Sequence, residues 1–258
     1  FHGLALGSFT YNKLVQYLTH RSKATAQQKI ATLQFDYYGR GESTIPSDVD
    51  QFDVKLVLNQ LEALMEHLNI LDYSPPLFLV GYSQGGVVAA HAAHQFEKRV
   101  CALLNFAPCG LHFEMSFLSQ LAKSWLVGDL LMNLFGYNRL RDGFASEFIE
   151  PNQHLDTITS LEHAFDQQDA DNLRFSVLQT LRHFEFTTQQ TLWEKLADNK
   201  SLYVLVAWGR QDSVVPFHPL FERASQIYCS SSRHRLIPLD HTKHAILHTN
   251  PSQIHQLV

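Results

Sequence analysis

Apolar positions along the chain follow two rhythms, one of period about 3.6 and one of short unbroken runs. Tyr11, Leu14, Val15 and Leu18 fall at i, i+3, i+4 and i+7, one buried stripe of a helix that Ser8 or Thr10 could cap. Val54, Val57, Leu58, Leu61, Leu64, Met65 and Leu68 keep the same period for about four turns and mark the clearest amphipathic helix. Between these two, residues 29–35 predict a short strand, which runs into the loop Asp36-Tyr37-Tyr38-Gly39-Arg40-Gly41-Glu42-Ser43. The runs at 77–80 and 100–106 are apolar without alternation, as strands buried on both faces are, and a helix through 87–96 separates them. The rhythm stops at Gly110 and resumes near Ser201, with strands at 202–208 and 235–239, a helix over 216–228 and a closing helix. Strand and helix in alternation predict an α/β fold, a mostly parallel, doubly wound sheet with helices on both faces.

The interval 111–199 shows helical stretches around Leu121, Trp125, Leu130, Leu131 and Leu134 but no convincing strand. It reads as an all-helical cap or lid inserted into a core made of 1–110 and 200–258. Phe113, Phe117, Trp125, Phe135, Phe144, Phe148 and Phe165 make it aromatic. These rings either form a small core of their own or face a pocket for an apolar substrate, and Trp125 is the candidate for substrate contact.

Composition narrows the class. A net charge of −5 with no basic block disfavours nucleic-acid partners. Three widely spaced cysteines suggest neither a disulfide framework nor a zinc site and fit a reducing, cytoplasmic setting. The fifteen histidines are scattered, not clustered at ligand spacing, so no metal is expected. No apolar run reaches the roughly 18 residues of a membrane span, which leaves peripheral membrane contact open. The sequence opens on Phe1-His2-Gly3, which reads as the end of a strand, so the first strands of the sheet are expected upstream of Phe1. Oligomeric state is left open.

Chemistry enters at Gly81-Tyr82-Ser83-Gln84-Gly85, a G-x-S-x-G pattern between an apolar strand and a helix of small residues. A serine hydroxyl is a weak nucleophile unless a turn lifts it toward a base and toward backbone donors, and flanking glycines permit that turn. In doubly wound sheets the ligand crevice lies past the carboxyl ends of the strands. Ser83 follows one strand, Asp212 a second, and His241 or His244 a third, in the order nucleophile, acid, base. Gln84 N–H, at the start of the helix, can serve a developing oxyanion, and the Gly3-Leu4 loop is the natural source of a second donor. Tyr82, beside the nucleophile, is a second candidate for substrate contact.

These motifs in register resemble the α/β-hydrolase family of serine hydrolases, in particular its capped esterase and monoacylglycerol-lipase-like members. The resemblance rests on His2-Gly3, Asp36-x-x-Gly39-x-Gly41-x-Ser43, Gly81-x-Ser83-x-Gly85-Gly86, Gly209-x-x-Asp212 with Pro216, and His244 with Pro251. It implies the α/β-hydrolase fold, with Ser83 as nucleophile, Asp212 as acid, His244 as base, and the N–H groups of Leu4 and Gln84 as the oxyanion hole. It also implies hydrolysis of an apolar carboxylic ester without a cofactor; thioesters, carbon–carbon bonds and a non-catalytic binding role are the alternatives on the same fold. The sequence departs from the family at Lys243, where a glycine is usual, so His241 competes with His244; Asp240 competes with Asp212, and Asp36 reads as a structural loop residue.

Overall fold

A computed structural model describes residues 1–24, 30–71, 75–229, 231–249 and 251–258. Its frame is a parallel sheet of β1 (Leu77–Tyr82), β2 (Val100–Phe106), β3 (Tyr203–Gly209) and β4 (His234–Leu239), side by side in that order. Register aligns the strand ends, with Tyr82 opposite Phe106, Phe106 opposite Ala207 and Gly209 opposite Leu239. The loops that leave these ends therefore gather along one edge. The central strands are buried on both faces, with Leu103, Val204 and Leu205 at 0% exposure, which explains why their sequence is apolar without alternation. Truncating a side chain so enclosed costs about 2–5 kcal/mol.

A 3₁₀ turn at Ser8–Tyr11 leads into α1 (Asn12–Ala24). Neither candidate cap works through its hydroxyl there: Ser8 donates its backbone N–H to Asp36, and the Thr10 hydroxyl bonds His248. In α2 (Val54–His67), Asp53 caps the first turn by accepting Leu56 N–H at 2.8 Å, and Val57, Leu61 and Met65 are buried one turn apart. In α3 (Gln84–Gln95), Val88, Ala89, Ala90 and Ala92 are fully enclosed. Its small side chains let the helix lie against the sheet, and a Cβ at Gly85 would sit 2.0 Å from the Phe1 carbonyl oxygen.

The strand expected over 29–35 is not formed. Lys29 lies outside the described residues, and 30–35 is irregular. A strand needs a neighbour that completes its ladder. The neighbouring side of β1 is taken by Phe1, whose backbone nitrogen donates to Val80 O at 2.7 Å and whose carbonyl accepts Tyr82 N–H at 3.0 Å. Among the described residues no strand stands beside 30–35, which is held by side chains instead, with Phe35 edge-on to Phe1 at 6.0 Å.

Between β2 and β3 run α4 (Phe117–Ala122), α5 (Trp125–Leu131), a π-helical turn (Met132–Gly136), α6 (Tyr137–Ser146), a 3₁₀ turn (Pro151–His154), α7 (Leu155–Asp166), α8 (Ala170–His183) and α9 (Gln190–Asp198). The aromatic side chains here do not share one core. Phe144 and Phe165 join the main core, Phe148 packs with Ile158, Leu161 and Ala245, and Phe117, Trp125 and Phe135 are exposed. The chain closes with α10 (Phe217–Tyr228), α11 (Ile246–Thr249) and α12 (Pro251–Leu257). No helix among the described residues is long and apolar enough to cross a membrane.

Candidate active site

At the end of β1 the backbone turns sharply into α3 through Ser83, which adopts φ 56° and ψ −120°. A non-glycine residue at positive φ is strained and persists only where its surroundings over-determine it. Here they do. Ser83 N–H donates to Phe106 O at 3.0 Å, while Ser83 O accepts Gly86 N–H at 3.0 Å and Cys109 N–H at 3.1 Å. Glycine is required on both sides for space: a Cβ at Gly81 would lie 2.6 Å from Gly85 O, and one at Gly86 would lie 2.6 Å from the Pro108 side chain.

The turn aims the hydroxyl at His244, whose Nε2 is 3.0 Å from Ser83 Oγ, and His244 Nδ1 is 2.8 Å from Asp212 Oδ2. All three residues are buried. The other carboxylate oxygen of Asp212 accepts the N–H groups of Val214 at 2.9 Å and Val215 at 3.0 Å, so the loop after β3 fixes the acid. Acid and base loops are tied together, since Gln211 N–H donates to Thr242 O and Thr242 N–H donates to Gln211 Oε1, both at 3.0 Å. Gly209 makes this possible, because a Cβ there would lie 2.3 Å from Thr242 O. The competing candidates fall away: His241 is exposed, and Asp240 pairs at the surface with Arg210 at 2.7 Å.

Tyr82 is 1% exposed and donates its hydroxyl to His244 O at 2.8 Å, so it supports the base loop and is not a wall of a substrate pocket. Trp125, the other candidate for substrate contact, belongs to the helices between β2 and β3. It lies on α5 at 66% exposure with its ring 4.5 Å from the Arg182 guanidinium, a cation–π contact that holds it at the surface. Asp36 is the loop residue expected, accepting the N–H groups of Ser8 and Glu42.

The Gly3-Leu4 loop lies beside the serine: a Cβ on Gly3 would be 3.5 Å from Ser83 Cβ. His2 fixes it, with Nδ1 donating to Gly3 O at 2.9 Å and Nε2 accepting Tyr37 N–H at 3.0 Å. Both bonds are made by the neutral ring, and burial holds the pKa of His2 well below its ordinary value. Among the described residues the N–H groups of Leu4 and Gln84 have no hydrogen-bond partner, so both are free to donate.

Two polar side chains at the site carry no motif. Glu147 follows α6 and acts on His244: burial lowers the imidazole pKa, but the Asp212 charge, its hydrogen bond and the Glu147 charge together raise it above the ordinary value. Burial and the Asp212 charge in turn push the Glu147 carboxyl up. Arg40 binds the loop from behind, donating Nε–H to Leu4 O at 2.6 Å. Burial pushes the Cys109 thiol to about 12, which removes it as a competing nucleophile at neutral pH. Among the described residues no three His, Cys, Asp or Glu side chains are grouped to hold a metal.

A hydroxyl, an imidazole and a carboxylate in this order can move a proton from oxygen to nitrogen as the oxygen attacks an electrophilic carbon, with the carboxylate stabilising the imidazolium. Solved structures share the frame. The chain is similar to a thermophilic esterase from Thermogutta terrifontis (TM-score 0.74, 16% identity, covering 99% of this chain and 85% of that one). It is equally similar to an enol-lactonase from Burkholderia xenovorans (TM-score 0.74, 13% identity, 99% and 86%). A meta-cleavage product hydrolase from Pseudomonas fluorescens aligns with TM-score 0.68, 15% identity and the same coverage. At such identities the likeness is one of fold, and the fold is that of the α/β hydrolases. No curated protein matches the chain. The family model described as "Serine aminopeptidase, S33" matches residues 1–250, and the chain belongs to that family of α/β hydrolases.

Proposed function

We propose that the protein is a serine hydrolase that cleaves a carboxylic ester with an apolar acyl group through an acyl-enzyme. The observation that carries this reading is the continuous relay from Ser83 Oγ to His244 at 3.0 Å and from His244 to Asp212 at 2.8 Å, beside two unengaged N–H groups. In the first step Ser83 Oγ bonds to the ester carbon while its proton passes to His244 Nε2. The carbonyl oxygen becomes an oxyanion that accepts the N–H groups of Leu4 and Gln84, each such donor being worth about 2.7–4 kcal/mol in the transition state. His244 then protonates the leaving alkoxide as the C–O bond breaks, and water, deprotonated by the same imidazole, releases the acid. The insertion acts as a lid over this site, and its outward apolar side chains, Phe117, Trp125, Leu126 and Leu130, favour an apolar substrate. Three free thiols, Cys101, Cys109 and Cys229, accord with a reducing compartment such as the cytoplasm.

A fluorophosphonate probe tests the reading. The wild type is expected to label at Ser83 and to hydrolyse p-nitrophenyl esters, with kcat/KM rising as the acyl chain lengthens. Ser83→Ala and His244→Ala should each lose roughly 10⁴-fold or more in kcat, whereas His241→Ala should stay close to wild type. A folded wild type that does not label would overturn the enzyme reading. Turnover of acyl-thioesters or aminoacyl-anilides in preference to esters would keep the nucleophile and replace the substrate class.

A further inference from the structure

Arg40 is 2% exposed, and no carboxylate among the described residues pairs with it. Burying a guanidinium without a counter-ion is costly, so its hydrogen bonds must hold it firmly. They run in two directions. Nε–H donates to Leu4 O at 2.6 Å, in the loop that carries one oxyanion donor. Nη1 and Nη2 donate to the hydroxyls of Ser176 and Thr180, the latter at 3.3 Å, both on α8 of the insertion. The Ser176 hydroxyl donates in turn to Gly39 O at 2.8 Å, and Thr180 donates to Ser176 O at 2.7 Å, so the α8 end of the link is itself fixed. Gly39, at φ 73°, has no Cβ to hold α8 away; one would lie 2.6 Å from Ser176 Cβ.

We propose that Arg40 is a positioning residue that sets the oxyanion loop, gripping the Leu4 carbonyl so that the Leu4 N–H faces Ser83, and that makes this setting depend on how α8 is seated. The inference rests on the ester-hydrolase reading above. A neutral amide could grip the same carbonyl with less desolvation; the cation adds positive potential behind the place where the oxyanion forms. Burial, its largest influence, lowers the Arg40 pKa to about 9, so the side chain remains charged at neutral pH. Because the potential matters most when the oxyanion exists, its loss should fall on kcat, with little change in KM.

The test uses the full chain and p-nitrophenyl butyrate, with active sites counted by exhaustive fluorophosphonate labelling so that rates refer to folded, competent molecules. Arg40→Met is expected to lower kcat per labelled site 10²- to 10³-fold, in the range of one lost oxyanion donor, with KM changed less than threefold. Arg40→Lys, which keeps charge but not the fork, should fall between. Ser176→Ala combined with Thr180→Val leaves Arg40 in place and should lower kcat three- to tenfold, which keeps the proposal testable if Arg40→Met fails to fold. Wild-type kcat per labelled site in Arg40→Met, or in the double variant if Arg40→Met does not fold, would overturn the proposal, as would an equal rise in KM. If Ser83 of the wild type does not label at all, the hydrolase reading fails first and this one with it, an outcome distinct from labelled but unaffected variants.

Discussion

Glu147 meets His244 because the chain on both sides of each is fastened: Lys243 Nζ donates to Ser146 O at 3.0 Å, and Phe148 packs with Ala245. The charge of this carboxylate adds to that of Asp212 in holding the His244 pKa above its ordinary value against burial. The working base is the neutral ring, so activity is present above that pKa and is lost as pH falls through it. Glu147→Gln removes a charge that favours the imidazolium. The acid limb of kcat/KM against pH is thus expected to move to lower pH, read from a pH–rate profile with a p-nitrophenyl ester, and an unmoved limb would show that Glu147 does not act on the base. Ser83, Asp212 and His244 were readable from sequence because each follows a strand, and strand ends have a fixed place in a parallel sheet. Glu147 and Arg40 were not, because the link each makes is between the insertion and the core, and spacing along a chain does not determine how a helical insertion settles.

At the scale of elements, the meeting of β3 with the base loop turns on one missing side chain. Gly209→Ala would push its Cβ against Thr242 O at 2.3 Å and Lys243 O at 2.5 Å, backbone that cannot rotate aside. The loop must move and His244 must move with it. We expect a loss of about 1–3 kcal/mol in stability and a fall in kcat out of proportion to it, measured by urea unfolding and ester turnover on the same samples. Gly143, in α6, is the control: nothing lies within 4 Å of its added Cβ, and Gly143→Ala should stabilise the protein by about 0.5–1 kcal/mol without changing turnover. The Gly209-x-x-Asp212 spacing could be seen in the sequence, but the reason for the glycine lies thirty-odd residues downstream. Period 3.6 located α2, and unbroken apolar runs located β2 and β3, the central strands that are buried on both faces. The pattern failed at 30–35, where among the described residues no strand stands beside the strand-forming side chains.

Across the whole molecule, the first and last helices close on each other: Tyr17 of α1 stacks on His255 of α12 at 4.3 Å, and Thr10 shares a hydrogen bond of 2.9 Å with His248 of α11. His248 is 8% exposed, and burial, helped by the charge of Lys13, lowers its pKa to about 4. In the unfolded chain the same ring titrates near 6.5. Folding therefore favours the neutral form, and its contribution to stability is complete above about pH 6.5 and is lost as pH falls toward 4, where the folded ring must also take a proton. The difference of about 2.5 units corresponds to a loss on the order of 3 kcal/mol across that window. Buried His2 pulls in the same direction, while His244, whose pKa is raised, pulls the other way, so a single pH titration would not isolate the site. The difference between wild type and His248→Gln does. The variant should be less stable at pH 7, since it loses a packed ring, but its stability should fall much less than that of the wild type between pH 6.5 and 4.5. Urea unfolding at closely spaced pH values measures both slopes. Parallel slopes would mean that the ring is charged or solvated in the folded protein, and that the contact joining the Ser8–Tyr11 turn to α11 contributes nothing to the acid sensitivity of the whole.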